Sequence, residues 1–267
     1  GDLCTIEQRI EAQNLQHLLW GNAAAKTITL SFDFRSPKSG THCVAIYVDD
    51  GARHYIREFT VAGADTFEHF EVTFPGDTGG TINDDTGIGM RIVWPLICGS
   101  TYQNAADTWA SGADFATSNQ QNLVDNTSNN IYLSGVQIEV GSVGTDFAHE
   151  DYGTTLSKCQ RYFIQHTSVA ATGNDNSLMT AKATSTTQAL GAMQHMGMRA
   201  TPSLTVSGAT DFKVGIPGAA VATTAMAVTW DSPDISTVSA TVASGLTAGP
   251  AVDIKFDGGG VRTFALS

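Results

Sequence analysis

The chain has 267 residues, 15% of them charged, and carries a formal net charge of −12. The acidity sits in one half: residues 1–153 hold 7 Lys/Arg against 20 Asp/Glu, a net of −13, while residues 154–267 hold 7 against 6, a net of +1, which together return the total. The acidic half excludes the clustered Lys and Arg of a nucleic-acid partner, and no apolar run approaches the ~18 residues of a membrane span.

The length points to two domains. Gly numbers 27, Thr, Ser, Ala and Val abound, and long runs of Glu, Lys and Leu are scarce, which is a β composition. Cys4, Cys43, Cys98 and Cys159 are scattered with no C-x-x-C, so free thiols and assembly in a reducing compartment are expected. No basic-then-apolar leader opens the chain, and it begins at Gly1 rather than Met, which reads as a fragment or a processed chain.

Cys4, Ile6 and Ile10 fall on one parity, consistent with a first strand. A heptad stalk through Leu3, Ile6 and Ile10 is the weaker reading, because Gln13 and His17 occupy the next seam positions. Leu15, Leu18 and Leu19 then repeat at helical spacing up to Gly21, which predicts one helical turn. Ile28, Leu30, Phe32 and Phe34 alternate with Thr29, Ser31 and Asp33 in the clearest strand of the chain. Residues 42–61 read as a hairpin around Asp50-Gly51, a dipeptide suited to positive φ. Phe70, Val72 and Phe74 form another strand, and Ile88, Met90, Ile92 and Trp94 another, closed by Pro95. Trp20 and Trp94 fall on apolar patterns and are expected in the core.

Residues 99–130 are mostly Ser, Asn, Thr, Ala and Gly, with Tyr102, Trp109 and Phe115 spaced through them. A long irregular stretch of this kind is functional or disordered, and its aromatics argue for order. Val136, Ile138 and Val140 then alternate with Gln137 and Glu139, whereas Leu156, Cys159 and Phe163 recur at three and four residues. The rhythm changes from strand to helix at this point, beside the break in charge. Beyond it, seven short runs, 161–170, 177–186, 203–208, 225–230, 236–244, 252–256 and 262–266, are strand candidates. Their Ala/Thr/Ser surfaces carry few charges, which hints at cover by other subunits.

No G-x-S-x-G, P-loop or H-E-x-x-H signature is present. Asp49-Asp50 and Asp84-Asp85 are paired acids in Gly-rich turns, where solvated turn residues are the rule and catalysis the exception. No cofactor is expected. A structural calcium stays open, with Glu11, Asp146 or the loop "INDDTG" as oxygen donors, although none has the spacing of a recognised loop. Aromatics are the remaining candidates for binding. A flat ring facing solvent stacks on the apolar face of a pyranose, which singles out Tyr102 and Trp109, with Tyr55 behind them. The competing reading has Trp109 plugging the end of the core.

The run "GVQIEVGSVGTDFAHEDYGTTLSKCQRYF" resembles a junction of bacteriophage tail-fibre and related virion fibre proteins. There a strand of the type GVQLEVG is followed by T-x-F, a Tyr-Gly and a short helix ending in C-Q-R-Y. Gly135, Val136, Gln137, Glu139, Gly141, Thr145, Phe147, Tyr152, Gly153, Leu156, Cys159, Gln160, Arg161 and Tyr162 match it. "QRIEAQNLQHLLWGNAAAKTITLSFDFRS", "FPGDTGGTINDDTGIGMRIVW" and "NAADTWASGADFATS" look like earlier parts of the same carbohydrate-binding-like jelly roll, so the likeness covers residues 5 to 165. "MGMRATPSLTV" resembles a strand recurring in the terminal domains of such fibres. One departure is Thr155, where an acid often stands, which implies a looser helix start.

The expected fold is all-β: a jelly-roll β-sandwich over 1–148, a junction with a short helix over 149–163, and a smaller β-sandwich tip over 164–267. Leu156, Cys159 and Phe163 are expected to dock the helix as a rigid elbow. The resemblance implies a non-catalytic fibre or receptor-binding protein of the phage tail that is assembled in the host cytoplasm. It further implies a homotrimer in contact with other virion tail proteins and host surface carbohydrate, with no membrane insertion. A head, collar or baseplate fibre is the structural alternative, and a glycan depolymerase the enzymatic one.

Overall fold

Residues 2–168, 176–258 and 260–267 are described by the computed structural model. Positions 169 and 170 of the strand candidate 161–170 lie outside them. The chain is all-β and divides into two compact units, Gly1–His149 and Glu150–Ser267.

In the first unit the strands are β1 (Leu3–Glu11), β2 (Ile28–Arg35), β3 (Gly40–Val48), β4 (Arg53–Val61), β5 (Glu68–Phe74), β6 (Ile88–Cys98), β7 (Trp109–Ser111) and β8 (Tyr132–Val140). They form a five-stranded sheet in the order β1-β6-β3-β4-β7 and a three-stranded sheet in the order β5-β2-β8, with every pairing antiparallel. The two sheets close on one core. From β2 come Ile28, Leu30, Phe32 and Phe34, none more than 2% exposed. Burial of these four is worth roughly 1.5–3 kcal/mol each before entropy. Phe32 meets Phe59 and Trp94 edge to face at centroid distances of 5.2 and 5.6 Å, which adds orientation to area. Trp20 is in the same core.

The outer faces are covered as well. β3 reads "HCVAIYV" because Val44, Ile46 and Val48 face the main core while Cys43 and Ala45 face a second, smaller one with Ile56, Val93, Cys98 and Ala116. Tyr102 and Phe115 pack on this second core. The long polar segment is therefore ordered by docking on the outside of the five-stranded sheet.

Four local expectations are corrected. The opening residues pair with β6 from Leu3↔Cys98 to Glu11↔Ile88, so the heptad reading falls. The turn after β1 is a 3-10 segment, Ala12–Leu18, that buries Leu15 and Leu18 but ends at Leu19, which has φ +56° and is 42% exposed. In the β3–β4 hairpin the left-handed residue is Ala52, φ +46°, and Gly51 serves a different need: a Cβ there would lie 2.9 Å from the Cα of Gly80. β6 runs through Pro95 to Cys98, because beyond Val93 it has lost β3 as a neighbour and pairs only with β1, at a register shift that accommodates the missing N–H.

β8 is an edge strand, and Gly135 at φ +57° lets it bulge between Ser134 and Gln137. The bulge switches parity, so Ile131 and Leu133 pack inward before it and Ile138 after it, while Val136 and Val140 are exposed.

The second unit begins with α1 (Tyr152–Gln160), followed by β9 (Ile164–Thr167), β10 (Ser177–Ala183), β11 (Gln188–Gln194), β12 (Leu204–Val206), β13 (Phe212–Ile216), β14 (Ala219–Asp231), β15 (Ile235–Val242), β16 (Ala251–Phe256) and β17 (Thr263–Leu266). Its two sheets differ from open sandwich layers in one respect: the larger closes into a barrel, β10-β11-β15-β14-β13-β16, and the smaller is β12-β17-β9. Small inward side chains permit the closure, since Ala181, Ala183, Ala189 and Ala240 are buried beside Val214, Val238 and Ile254. These alanines line the interior rather than the surface.

Asp151 caps α1. Its carboxylate accepts from the Thr154 N–H at 3.0 Å and from the Thr154 hydroxyl at 2.5 Å, so the helix start is not loosened by Thr155. No residue of α1 is buried; Leu156 is 39% and Phe163 47% exposed, and Cys159 is exposed.

Candidate functional site

The three aromatic candidates separate. β7 pairs with β4 through Tyr55↔Trp109, which brings those two rings to 5.2 Å. Trp109 also stands edge-on to Trp20 at 5.3 Å and 77°, and its indole N–H donates to the Pro75 carbonyl at 3.0 Å. Tyr55 is 6% exposed and packs on Phe74 as well, so it has no free face for a sugar. Trp109 is half-buried against the main core, the plug of the competing reading. Tyr102 is half-buried on the opposite face of the five-stranded sheet, against the second core.

That opposite face carries a cleft of about 470 Å³ between β4 and the long segment. Glu58, Gln103, Asn104, Thr117 and Asn119 line it. Each is held from behind. The Thr117 hydroxyl donates to Glu58, and Asn119 Nδ2 donates to the same Glu58 oxygen, Oε1, at 3.0 Å. Asn104 Nδ2 donates to Asp114 at 2.9 Å, and Gln103 Nε2 to the Cys98 carbonyl at 2.7 Å.

Buried bonds to the sheet hold this wall in place. The Thr117 N–H donates to Cys43 Sγ at 3.4 Å, Gln120 Oε1 accepts from the Cys43 N–H at 2.7 Å, and Gln120 Nε2 donates to the Pro95 carbonyl at 2.9 Å. Cys98 Sγ donates to the Tyr102 carbonyl at 3.1 Å. Burial pushes the Cys43 thiol up from its ordinary range and that of Cys98 up to about 11, so both are neutral hydrogen-bonding and packing groups rather than nucleophiles.

The result is a shallow polar pocket whose amides and carboxylate are fixed before any ligand arrives. Among the described residues Glu58 Oε2 and Asn119 Oδ1 take no hydrogen bond, and the cleft combines such acceptors with amide donors, a set that matches vicinal hydroxyls. The sequence marked the segment 99–130 but not these residues. Asn119 and Glu58 are 61 positions apart and meet only through the docking of the segment on β4.

Of the paired acids, Asp49 and Asp50 are spent on structure. Arg91 Nε donates to both Asp49 oxygens at 3.0 Å, and Asp50 accepts from the Asn83 N–H and side-chain amide at 2.9 and 2.8 Å. Of the calcium donors, Glu11 accepts from Gln13 at 2.8 Å, Asp85 accepts from the Gly87 N–H at 2.7 Å, and Asp146 lies on the outer face of the three-stranded sheet. Among the described residues no group of three or more His, Cys, Asp or Glu is placed to hold a metal. Compared with protein-family models and with curated protein sequences, the chain matches none.

Proposed function

We propose that the chain is a non-catalytic adhesion protein of a virion fibre, a phage tail fibre or receptor-binding protein that holds host surface glycans through its first unit. One observation carries this reading: the cleft bounded by Glu58, Asn104 and Asn119, whose polar groups are pre-organised by bonds to one another and to Asp114. Pre-organised donors and acceptors lose little entropy on binding, which suits a site for a hydroxyl-rich ligand. The junction motif in residues 135–162 supports the fibre assignment. Weak single sites gain strength through display in several copies, and a homotrimer is part of the proposal.

The test is adsorption of the full chain to bacterial cells and to their purified surface polysaccharides. Wild-type protein adsorbs, and Glu58→Ala with Asn119→Ala weakens adsorption by about tenfold or more, as expected for loss of hydrogen bonds to a charged group. Equal adsorption by the double variant overturns the assignment of the cleft. New reducing ends in the polysaccharide overturn the non-catalytic reading.

A further inference from the structure

On the outer face of the three-stranded sheet lies a second concavity of about 670 Å³, on a different sheet from the cleft. Its floor is β2. Leu30 and Phe32 point into the main core, so Ser31 between them projects outward. Ser31 is only 3% exposed, it lines the groove, and among the described residues no group bonds its hydroxyl. The hydroxyl of a side chain this well packed, without a protein partner, is free to bond a ligand entering the groove.

The walls are acidic. Asp33, Glu71 and Asp146 line the groove together with His69, and no Lys or Arg does. His69 Nδ1 is 2.9 Å from Asp33, and its Nε2 is 3.9 Å from Glu71, so the imidazole bridges two carboxylates. The Glu71 carboxylate also accepts from the Gly144 N–H at 3.3 Å, which ties the far wall to the sheet. At the rim Phe147 is 46% exposed, an apolar ring beside a charged hollow.

We infer that this groove binds an amino sugar carrying a free, protonated amine. The ammonium goes to the carboxylates, a hydroxyl goes to Ser31, and the apolar face of the ring stacks on Phe147. Charge-assisted bonds to carboxylates are the strong ones, and no Lys or Arg lines the groove to oppose a cation. Anionic sugars are repelled by the same walls, and N-acetylated sugars lack the cation. The groove takes a ligand of small-molecule size. This inference rests on the adhesion reading for its choice of a saccharide.

Calorimetry of the full chain tests it, with a glucosamine trisaccharide bearing free amines, its fully N-acetylated counterpart and trilysine as probes. The free-amine trisaccharide binds, and the N-acetylated one binds about tenfold or more weakly. Asp33→Asn with Glu71→Gln lowers affinity for the free amine by about tenfold or more, Ser31→Ala and Phe147→Ala each lower it by several-fold, and Asp84→Asn, a charge removed outside both the groove and the cleft, leaves it unchanged. Phe147 is at the rim, so its variant reports on the groove even if Ser31→Ala fails to fold. No binding of the free amine, equal binding of the two sugars, or indifference to the groove variants overturns the inference. Trilysine binding as tightly as the sugar also overturns it, because the walls then select charge alone. The adhesion reading fails separately, when cleft variants adsorb to cells as wild type does.

Discussion

The indole N–H of Trp109 donates to the carbonyl of Pro75 at 3.0 Å while its ring stands edge-on to Trp20, so the most conspicuous aromatic of the long segment is tied to the body of the sandwich. Trp109→Ala removes both contacts from a half-buried site and is expected to cost about 3 kcal/mol, the low end for loss of a large aromatic. Trp109→Phe keeps ring packing, gives up the hydrogen bond and costs about 1 kcal/mol. Urea denaturation of both variants checks the order. An alanine variant as stable as wild type removes Trp109 from the core and returns it to the exposed platform of the first reading.

The two residues of the β3–β4 turn predict opposite signs. Ala52 holds φ +46° at the expense of backbone strain, and Ala52→Gly is expected to stabilise the first unit by about 0.5–1 kcal/mol. Gly51→Ala forces a Cβ to within 2.9 Å of the Gly80 backbone and is expected to destabilise by about 1–3 kcal/mol. Thermal melts of the pair decide it, and the same sign for both contradicts the turn as described.

Thiol reactivity separates the four cysteines. Cys4 and Cys159 are exposed and label in the native state, whereas Cys43 and Cys98 are buried and label only in denaturant. Burial raises the Cys98 thiol from 9.0 to about 11, so the folded state favours its neutral form. The stability this contributes is complete below pH 9.0 and is lost as pH rises from there through 11. Mass spectrometry after alkylation reads the first outcome, and the denaturation midpoint along an alkaline series reads the second.

The His42 imidazole acts at the other end of the pH scale. Burial lowers its pKa below the ordinary 6.5, against a smaller opposing contribution from its bond to the Lys38 carbonyl, and its ring stacks on Phe59 at 28°. Below pH 6.5 the unfolded chain takes up a proton that the folded chain resists, so stability is held above that pH and falls as pH drops below it. His42→Phe keeps the stack and removes the titration. The difference in urea midpoint between about pH 7.5 and about pH 5.5 is expected to shrink in that variant.

The parts of the fold legible in the sequence are those where one apolar face alternates with a polar one. β2 showed itself through Ile28, Leu30, Phe32 and Phe34. β11, "QALGAMQ", did not, because Ala189 and Gly191 do their packing with little or no side chain, whereas β13, "FKVGI", alternates through Phe212, Val214 and Ile216 but over too few residues to stand out. β7 escaped as well, since Trp109–Ser111 is held by its pairing with β4 rather than by any local preference. The bulge at Gly135 hid a change of parity inside a run that reads as uniform alternation. The cleft lay beyond reach for a further reason. Polar residues at 58, 104 and 119 carry no periodic signal, and their meeting depends on a small second core, Cys43, Ala45, Ile56, Val93, Cys98 and Ala116, that orders the segment above it.

The most direct measurement is calorimetric titration of the full chain with a surface oligosaccharide from a bacterium to which it adsorbs, for wild type and for Glu58→Ala/Asn119→Ala at matched thermal stability. Adhesion through the cleft predicts saturable binding by wild type and affinity lower by about tenfold or more in the double variant. Identical isotherms for the two proteins contradict it.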